Sequence, residues 1–393
     1  MIIKQDILFK ILFIILFILS CKEGKQVDTS KVFRYNEHKN INSLDPVYAK
    51  DIANIWVVNQ IFNGLVEMDD QLNVVPSIAK KWEISDDSKK YIFTINTDIE
   101  FHPHPKLKNR KVTAYDFEYS FNRLINPEVA APGAWVLEKV ESFSAINDSI
   151  FEINLKKPFN AFLGILTMKY CSVVPKEIIE LYGEDFRSNP VGTGPFMFKR
   201  WEENIKLVLR KNPNYFQKDE FGESLPYLEA VSITFLNEKQ SEFLQLIKGK
   251  IDFISGLDNS YKDEILDFKG ELKDDYNNSL KMMRGPFLNT EYLAFFMDSE
   301  NIMTKSNLIR KAINIGFDKE KMIKFLRNGI GIPANGGFIP FGLPGYSEKN
   351  YNKYDVKKAK KYVNEFIKIS GKSPSLKLTT SSNYLIFCEY IQK

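Results

Sequence analysis

The chain has three histidines, and two of them form its nearest approach to a reactive or metal-binding pair, His102-Pro-His104. The intervening proline keeps the backbone extended and the rings diverge, so metal binding needs a third ligand from elsewhere. The plainer reading is an exposed loop tip. Nucleophilic chemistry finds no better footing. No Gly-x-Ser-x-Gly elbow occurs, and Cys171 and Cys388 sit among apolar neighbours (Tyr170 and Val173; Phe387 and Tyr390) rather than in an electropositive setting. The acidic pairs Asp69-Asp70, Asp86-Asp87 and Asp274-Asp275 lie in polar, turn-like stretches and read as solvated turns. Gly192-Thr-Gly194 lacks the lysine that follows in a phosphate-binding loop, and no dinucleotide glycine fingerprint is present. The residues therefore point to a chain that is not an enzyme, with no cofactor and no resident metal.

One cysteine does carry a chemistry. Lys4 and Lys10 precede a wholly apolar run over residues 11–19, and Ser20-Cys21 follows. A bilayer span takes ~20 apolar residues, so this shorter run reads as a secretory signal. Ile18-Leu-Ser-Cys21 approximates the Leu-x-small-Cys pattern that precedes lipid attachment, with Leu19 bulkier than usual. On that reading residues 1–21 are a lipoprotein signal ending at Cys21, and several acyl chains on Cys21 hold the exported chain on a membrane. An ordinary signal peptide with an incidental cysteine is the other reading. Residues 22–29 are short, polar and charged, which suits a tether.

The charge balance of 54 basic and 50 acidic side chains, net +4, argues against a nucleic-acid partner, which needs concentrated basic surface. The length of 393 residues implies two or more domains. Cys171 and Cys388 are too far apart in sequence to suggest a disulfide framework, and read as buried thiols.

Periodicity supplies the elements. Tyr91–Asn96 alternates as a strand does. Thr113 with Asp116 three residues on is a helix start, and Phe117, Phe121 and Leu124 fall on one face of the helix it opens. Phe196 and Phe198 alternate with Met197 and Lys199; a turn follows at Trp201–Asn204; Ile205, Leu207 and Leu209 then alternate with Lys206, Val208 and Arg210. This predicts a hairpin with one buried face. A strand over Val231–Leu236, a helix over Glu238–Lys248 buried through Phe243, Leu244 and Ile247, and a second strand over Ile251–Ile254 predict a parallel pair joined by a right-handed crossover. Asp318 and Asp355 are expected N-caps, the latter opening a lysine-rich amphipathic helix with Ala359, Val363 and Phe366 inside. Leu376–Thr379 is expected as a strand and Tyr384–Lys393 as a helix. Gly192 and Gly194 imply either positive φ or close backbone approach.

Pro190-Val-Gly-Thr-Gly-Pro-Phe196, followed by Met197-Phe-Lys-Arg-Trp201 and Arg210-Lys-Asn-Pro-Asn-Tyr-Phe216, resembles the hallmark of the extracytoplasmic solute-binding proteins of ABC importers, family 5, which includes the oligopeptide- and dipeptide-binding proteins. Other segments match in order: Leu44-Asp-Pro46, Ile61-Phe-Asn-Gly-Leu65, Pro76-Ser-Ile-Ala79, Trp82-Glu-Ile-Ser-Asp86, Val112-Thr-Ala-Tyr-Asp-Phe117, Tyr119-Ser120, Arg123, Arg310-Lys-Ala312, Asp318-Lys-Glu320, Gly329 and Pro333.

The resemblance implies an α/β, two-lobed periplasmic-binding-protein-like fold. Lobe I is discontinuous (30–62 and 185–275), an inserted subdomain covers 63–184, and lobe II spans 276–393. Lobe II is expected to be incomplete, because similar family members run well past Lys393 to finish it and return a hinge strand. The resemblance also implies a membrane-anchored lipoprotein on the periplasmic side, a monomer that captures a peptide between its lobes and passes it to permease subunits. The Gly192-Thr193-Gly194-Pro195 motif is structural. Lys50, Asp51 and Ile52 occupy the segment that pairs its backbone with the ligand like an added strand, and Trp135 follows a loop running towards the cleft mouth. The acidic partner of the ligand's free amine is expected beyond Lys393. Another cargo, such as a sugar oligomer or chelated metal, is the alternative within the family; a secreted hydrolase or an adhesin is the alternative outside it.

Overall fold

The structure, a computed structural model, describes residues 29–393 apart from 258, 268, 286, 299, 382 and 383. The apolar run and Cys21 lie outside the described residues. Two compact units divide the chain, the first ending at Ile254 and the second beginning at Ser255; the family resemblance puts the lobe boundary later, at 275/276.

In the first unit the elements are β1 (Val32–Asn36), α1 (Ile52–Ile61), β2 (Val66–Met68), β3 (Val74–Pro76), β4 (Ala79–Ile84), β5 (Lys90–Ile95), α2 (Ala114–Ile125), β6 (Val140–Asn147) and β7 (Ile150–Leu155). These are followed by α3 (Phe162–Leu166), α4 (Lys176–Tyr182), β8 (Phe196–Glu202), β9 (Lys206–Lys211), β10 (Ala230–Thr234) and α5 (Lys239–Ile247).

An antiparallel sheet in the order β4-β5-β7-β6 forms around alternation. Tyr91, Phe93 and Ile95 of β5 and Phe151, Ile153 and Leu155 of β7 are buried, while their neighbours in sequence are only partly covered. Against this face α2 lays Phe117, Phe121 and Leu124, all fully buried. Phe121 meets Phe143 and Phe151 edge-on at centroid separations of 5.6 and 5.5 Å, a geometry that adds about 0.5–1.5 kcal/mol per pair beyond burial. The start of α2 is fixed by Asp116, whose Oδ2 accepts from the Thr113 N–H at 2.8 Å and from its hydroxyl at 3.1 Å.

The second sheet runs β1-β10-β9-β8. The predicted hairpin is β8-β9, with Leu207 and Leu209 fully buried; Ile205 sits in the turn and is exposed. The predicted crossover differs from expectation in one respect. Ile251–Ile254 does not lie beside β10: Phe253 makes a single parallel bridge to Tyr35 of β1, and β1 is itself parallel to β10. The crossover through α5 therefore spans an intervening strand. Phe243 of α5 is buried as expected, but Leu244 and Ile247 are exposed, because the short helix turns only one edge inward.

The second unit contains α6 (Asn259–Ile265), α7 (Ile302–Lys305), α8 (Asn307–Gly316), α9 (Lys319–Leu326), α10 (Val356–Ser370) and α11 (Leu385–Gln392). Asp318 and Asp355 cap α9 and α10, accepting from Lys321 N at 2.9 Å and Lys358 N at 2.8 Å. Gly371, left-handed at φ 67°, closes α10. Ala359 of α10 packs with Ala312 and Ile315 of α8, with Val363 packed against them, and Phe366 is buried too. No strand occurs among the described residues of this unit. Leu376–Thr379 is not a strand: among the described residues it pairs with no neighbouring segment.

Candidate functional site

Gly192 and Gly194 lie against the C-terminal end of α1. A Cβ on Gly192 would stand 2.1 Å from the Ile61 carbonyl oxygen and 2.7 Å from Phe62 Cδ1; one on Gly194 would stand 2.5 Å from the Gln60 oxygen. Neither glycine has positive φ, so close backbone approach is what selects glycine here. The approach is sealed by hydrogen bonds. Gly194 N donates to Ile61 O (2.8 Å), Thr193 Oγ1 to Asn63 Oδ1 (3.0 Å), and Asn212 Nδ2 to Gly194 O (3.0 Å).

His102 belongs to the same knot. Its N–H donates to Gly192 O at 2.7 Å and its Nδ1 accepts from Gly192 N at 3.3 Å, which leaves Nε2 to carry the proton and donate to Gly194 O at 2.9 Å. Burial lowers its pKa to about 4, against the opposite pull of the Gly194 carbonyl, so the ring is neutral at pH 7. The expectation of an exposed loop tip fails for His102, which is 3% exposed. The cause is the glycine turn, whose backbone offers a donor and an acceptor at the spacing of the imidazole nitrogens. His104 diverges from it and lies beside the Tyr182 hydroxyl (3.1 Å). Among the described residues no group of three His, Cys, Asp or Glu side chains is placed to hold a metal ion.

The Leu44-Asp-Pro46 segment is held by a buried ion pair. Asp45 engages both terminal nitrogens of Arg123, and Ser43 Oγ accepts from Asp45 N at 3.1 Å. Arg123 lies over the Phe186 ring, 5.9 Å from its centroid. The motif's conformation is thereby tied to α2.

Downstream of that anchor a surface cleft of about 350 Å³ is lined by Asn42, Ser43, Tyr48, Lys50, Asp51, Asn54, Ala130 and Pro132. Six of these eight residues carry polar side chains, while apolar atoms make up the larger part of the exposed wall. Asp51 caps α1, accepting from Asn54 N at 3.1 Å. Tyr48 donates its hydroxyl proton to Val129 O at 2.7 Å, joining the two walls. Asn54 donates through Nδ2 to Ser43 O at 2.9 Å, while among the described residues its buried Oδ1 has no partner, a deficit of about 1–3 kcal/mol. Among the described residues the Lys50 ammonium forms no ion pair. Ala130 adopts φ 49°, a conformation that costs an L-residue about 1–2 kcal/mol.

The structure thus brings Lys50 and Asp51 into one cleft with the Ala130–Pro132 loop. Ile52 is 65% exposed and is not among the lining residues; neither is Trp135, which stands on a short 3₁₀ turn and is 53% exposed. That turn is firmly seated, since Gly133 lies directly against the Tyr170 ring. Asn54, Asn63, His102 and Asn212 were not singled out from sequence as structural partners. Asn63 and Asn212 at least fall inside quoted motifs, whereas nothing in the sequence marks Asn54 beyond its place three residues after a cap. Cys171 is buried, and its thiol is pushed up to about 12 by that burial, which removes it from chemistry at neutral pH.

Residues 73–393 match the family described as bacterial extracellular solute-binding proteins, family 5 (middle). The glutathione-binding protein GsiB of Salmonella typhimurium is 23% identical over 329 residues, covering 83% of this chain and 59% of the relative. The probable D,D-dipeptide-binding periplasmic protein DdpA of Escherichia coli is 28% identical over 353 residues, covering 87% and 63%. The chain therefore spans about three fifths of the length of these relatives. Among solved structures, the ABC transporter-associated periplasmic binding protein DppA of Helicobacter pylori, in complex with the peptide STSA, superposes with a TM-score of 0.76 at 23% identity, covering 92% of this chain and 70% of that one. The α/β fold is that of the two-lobed periplasmic binding proteins, and the chain is a member of family 5 of the bacterial extracellular solute-binding proteins.

Proposed function

We propose that this chain acts as a non-enzymatic receptor for short peptides, tethered by lipid on Cys21 and delivering its cargo to the permease of an ABC importer. The observation that carries the peptide reading is the cleft at residues 42–54, whose lining offers Ser43, Tyr48, Lys50 and Asp51. A peptide presents repeating backbone donors and acceptors, which such a wall can meet without demanding particular side chains. Glutathione and D,D-dipeptides, named for the relatives GsiB and DdpA, and the peptide STSA held by DppA are all of this chemistry. Lys50 and Asp51 are the proposed backbone-pairing residues, with Ile52, the exposed first residue of α1, ending that segment, and Trp135 is a proposed contact at the cleft mouth. Closure on a ligand is driven by its better fit to the closed state.

Mass spectrometry of what co-purifies with the protein tests the reading. Short peptides are expected. A sugar oligomer or a metal chelate in their place overturns the cargo assignment, and turnover of a peptide or ester panel by the pure protein overturns the receptor assignment.

A further inference from the structure

Residues 348–377 hold nine lysines against three acids, Glu348, Asp355 and Glu365, a local excess of +6, whereas the whole chain carries only +4. The rest of the molecule is thus slightly acidic, and the positive charge is concentrated around α10. All nine lysines are exposed. None of them forms an ion pair among the described residues, and Asp355 is engaged as the cap of α10.

The helix orders this charge. With Ala359 and Phe366 turned inward, the 100° step per residue puts Lys357, Lys361 and Lys368 along the line opposite the buried face, with Asn364 and Glu365 beside that line and Lys358 and Lys360 further round on either side. The stripe from Lys357 to Lys368 is about 16 Å long at 1.5 Å rise per residue. Ile369, 73% exposed, and Val356, 41% exposed, stand beside its two ends.

We infer that this face of α10 adsorbs electrostatically to an anionic phospholipid bilayer. The charges are lysines without arginine, compact point charges suited to a diffuse anionic surface rather than to the bidentate grip that guanidinium gives on individual phosphates. The stripe is straight and convex, and its outer line carries no aromatic ring on which a base could stack, which disfavours single-stranded nucleic acid. An extracellular family member meets such surfaces as a matter of course.

The test is co-sedimentation of the full chain with vesicles of phosphatidylcholine alone and with vesicles containing phosphatidylglycerol. Wild type is expected to partition more strongly onto the anionic vesicles, with the excess falling as salt rises. Lys357→Gln, Lys361→Gln and Lys368→Gln together should cut that excess by about ten- to a hundredfold. A control with the same net charge, Lys80→Gln, Lys106→Gln and Lys218→Gln, should retain most of it. Both triple variants keep the N-terminal segment unchanged, so the difference between them reports α10 and not that segment. Circular dichroism confirms that both variants are folded. Equal partitioning of wild type on the two vesicles overturns the inference, as does equal loss in both variants. Displacement of the protein from anionic vesicles by a trace of duplex DNA would reassign the face to nucleic acid and equally overturn it.

Discussion

Replacing Gly192 by alanine adds one methyl group where the structure has no room for it. The new Cβ would sit 2.1 Å from the Ile61 oxygen, so turn and helix end must part by about 1 Å to reach ordinary contact. Overpacking of this kind costs about 1–3 kcal/mol. The same movement stretches the Gly194 N to Ile61 O bond from 2.8 Å and breaks the pairing of Gly192 with His102. Two lost hydrogen bonds at about 0.5–1.5 kcal/mol each add about 1–3 more. The expected destabilisation is about 4 kcal/mol, large beside the usual 5–15 kcal/mol of a domain. All four tryptophans, Trp56, Trp82, Trp135 and Trp201, lie in the first unit, so urea unfolding followed by their fluorescence reads that unit alone. Gly164→Ala in α3, with nothing within 4 Å of the added methyl, serves as the contrast and should leave stability unchanged or raise it by up to about 1 kcal/mol. A Gly192→Ala midpoint corresponding to a loss under about 0.5 kcal/mol, or a Gly164→Ala loss of equal size, refutes close approach as the reason for the glycine.

Arg123→Met leaves Asp45 buried without its partner and should cost about 3–5 kcal/mol in the same urea assay, much of it regained when Asp45→Leu is added; a single-variant loss below 1 kcal/mol contradicts the assignment. The depressed pKa of His102 means that the unfolded chain takes up the proton first, so its contribution is intact above about pH 6.5 and falls by about 3 kcal/mol as pH drops towards 4. The His102 ring protons should therefore show no NMR titration step near pH 6.5. Cys171 should resist iodoacetamide at pH 8 in the native protein and react on unfolding; native labelling of Cys171 by peptide mapping argues against its burial. Cys21→Ser should move the protein from the membrane to the soluble fraction with unchanged circular dichroism, and persistence in the membrane fraction refutes lipidation at Cys21.

Alternating segments with one buried face were legible in the sequence: β5, the β8-β9 hairpin and α2 follow directly from Tyr91–Ile95, Phe196–Leu209 and Thr113–Leu124. Caps were legible for the same reason, since Asp318 and Asp355 act on backbone three residues away. What was not legible depends on contacts across long separations. Ile251–Ile254 reads as a strand beside β10, yet β1 takes that position, and nothing local records it. His102 reads as a loop residue because its partners, Gly192 and Gly194, are ninety residues downstream. Asn54 gains its significance from the Ser43 carbonyl and from a cleft wall contributed by Ala130 and Pro132. The family resemblance supplied the candidate segment Lys50–Ile52, but only the fold separates Lys50 and Asp51, in the cleft, from Ile52, outside it.

The pairing of β1 with β10 bears on the order of assembly. Val32 is in register with Ala230 and Asn36 with Thr234, and the other neighbour of β1 is Phe253. A ribosome makes β1 long before either flanking segment, and closing a loop of about 200 residues costs roughly 5 kcal/mol of chain entropy. The α2 and β4–β7 assembly has its partners close at hand and can form while β1 still waits. Until β10 emerges, β1 presents both unpaired edges and the rings of Phe33 and Tyr35 to whatever is nearby, a natural target for a holding chaperone. Any fragment ending before residue 230 leaves that strand permanently single, so nascent chains shorter than this should be protease-sensitive around residues 32–36 and longer ones protected.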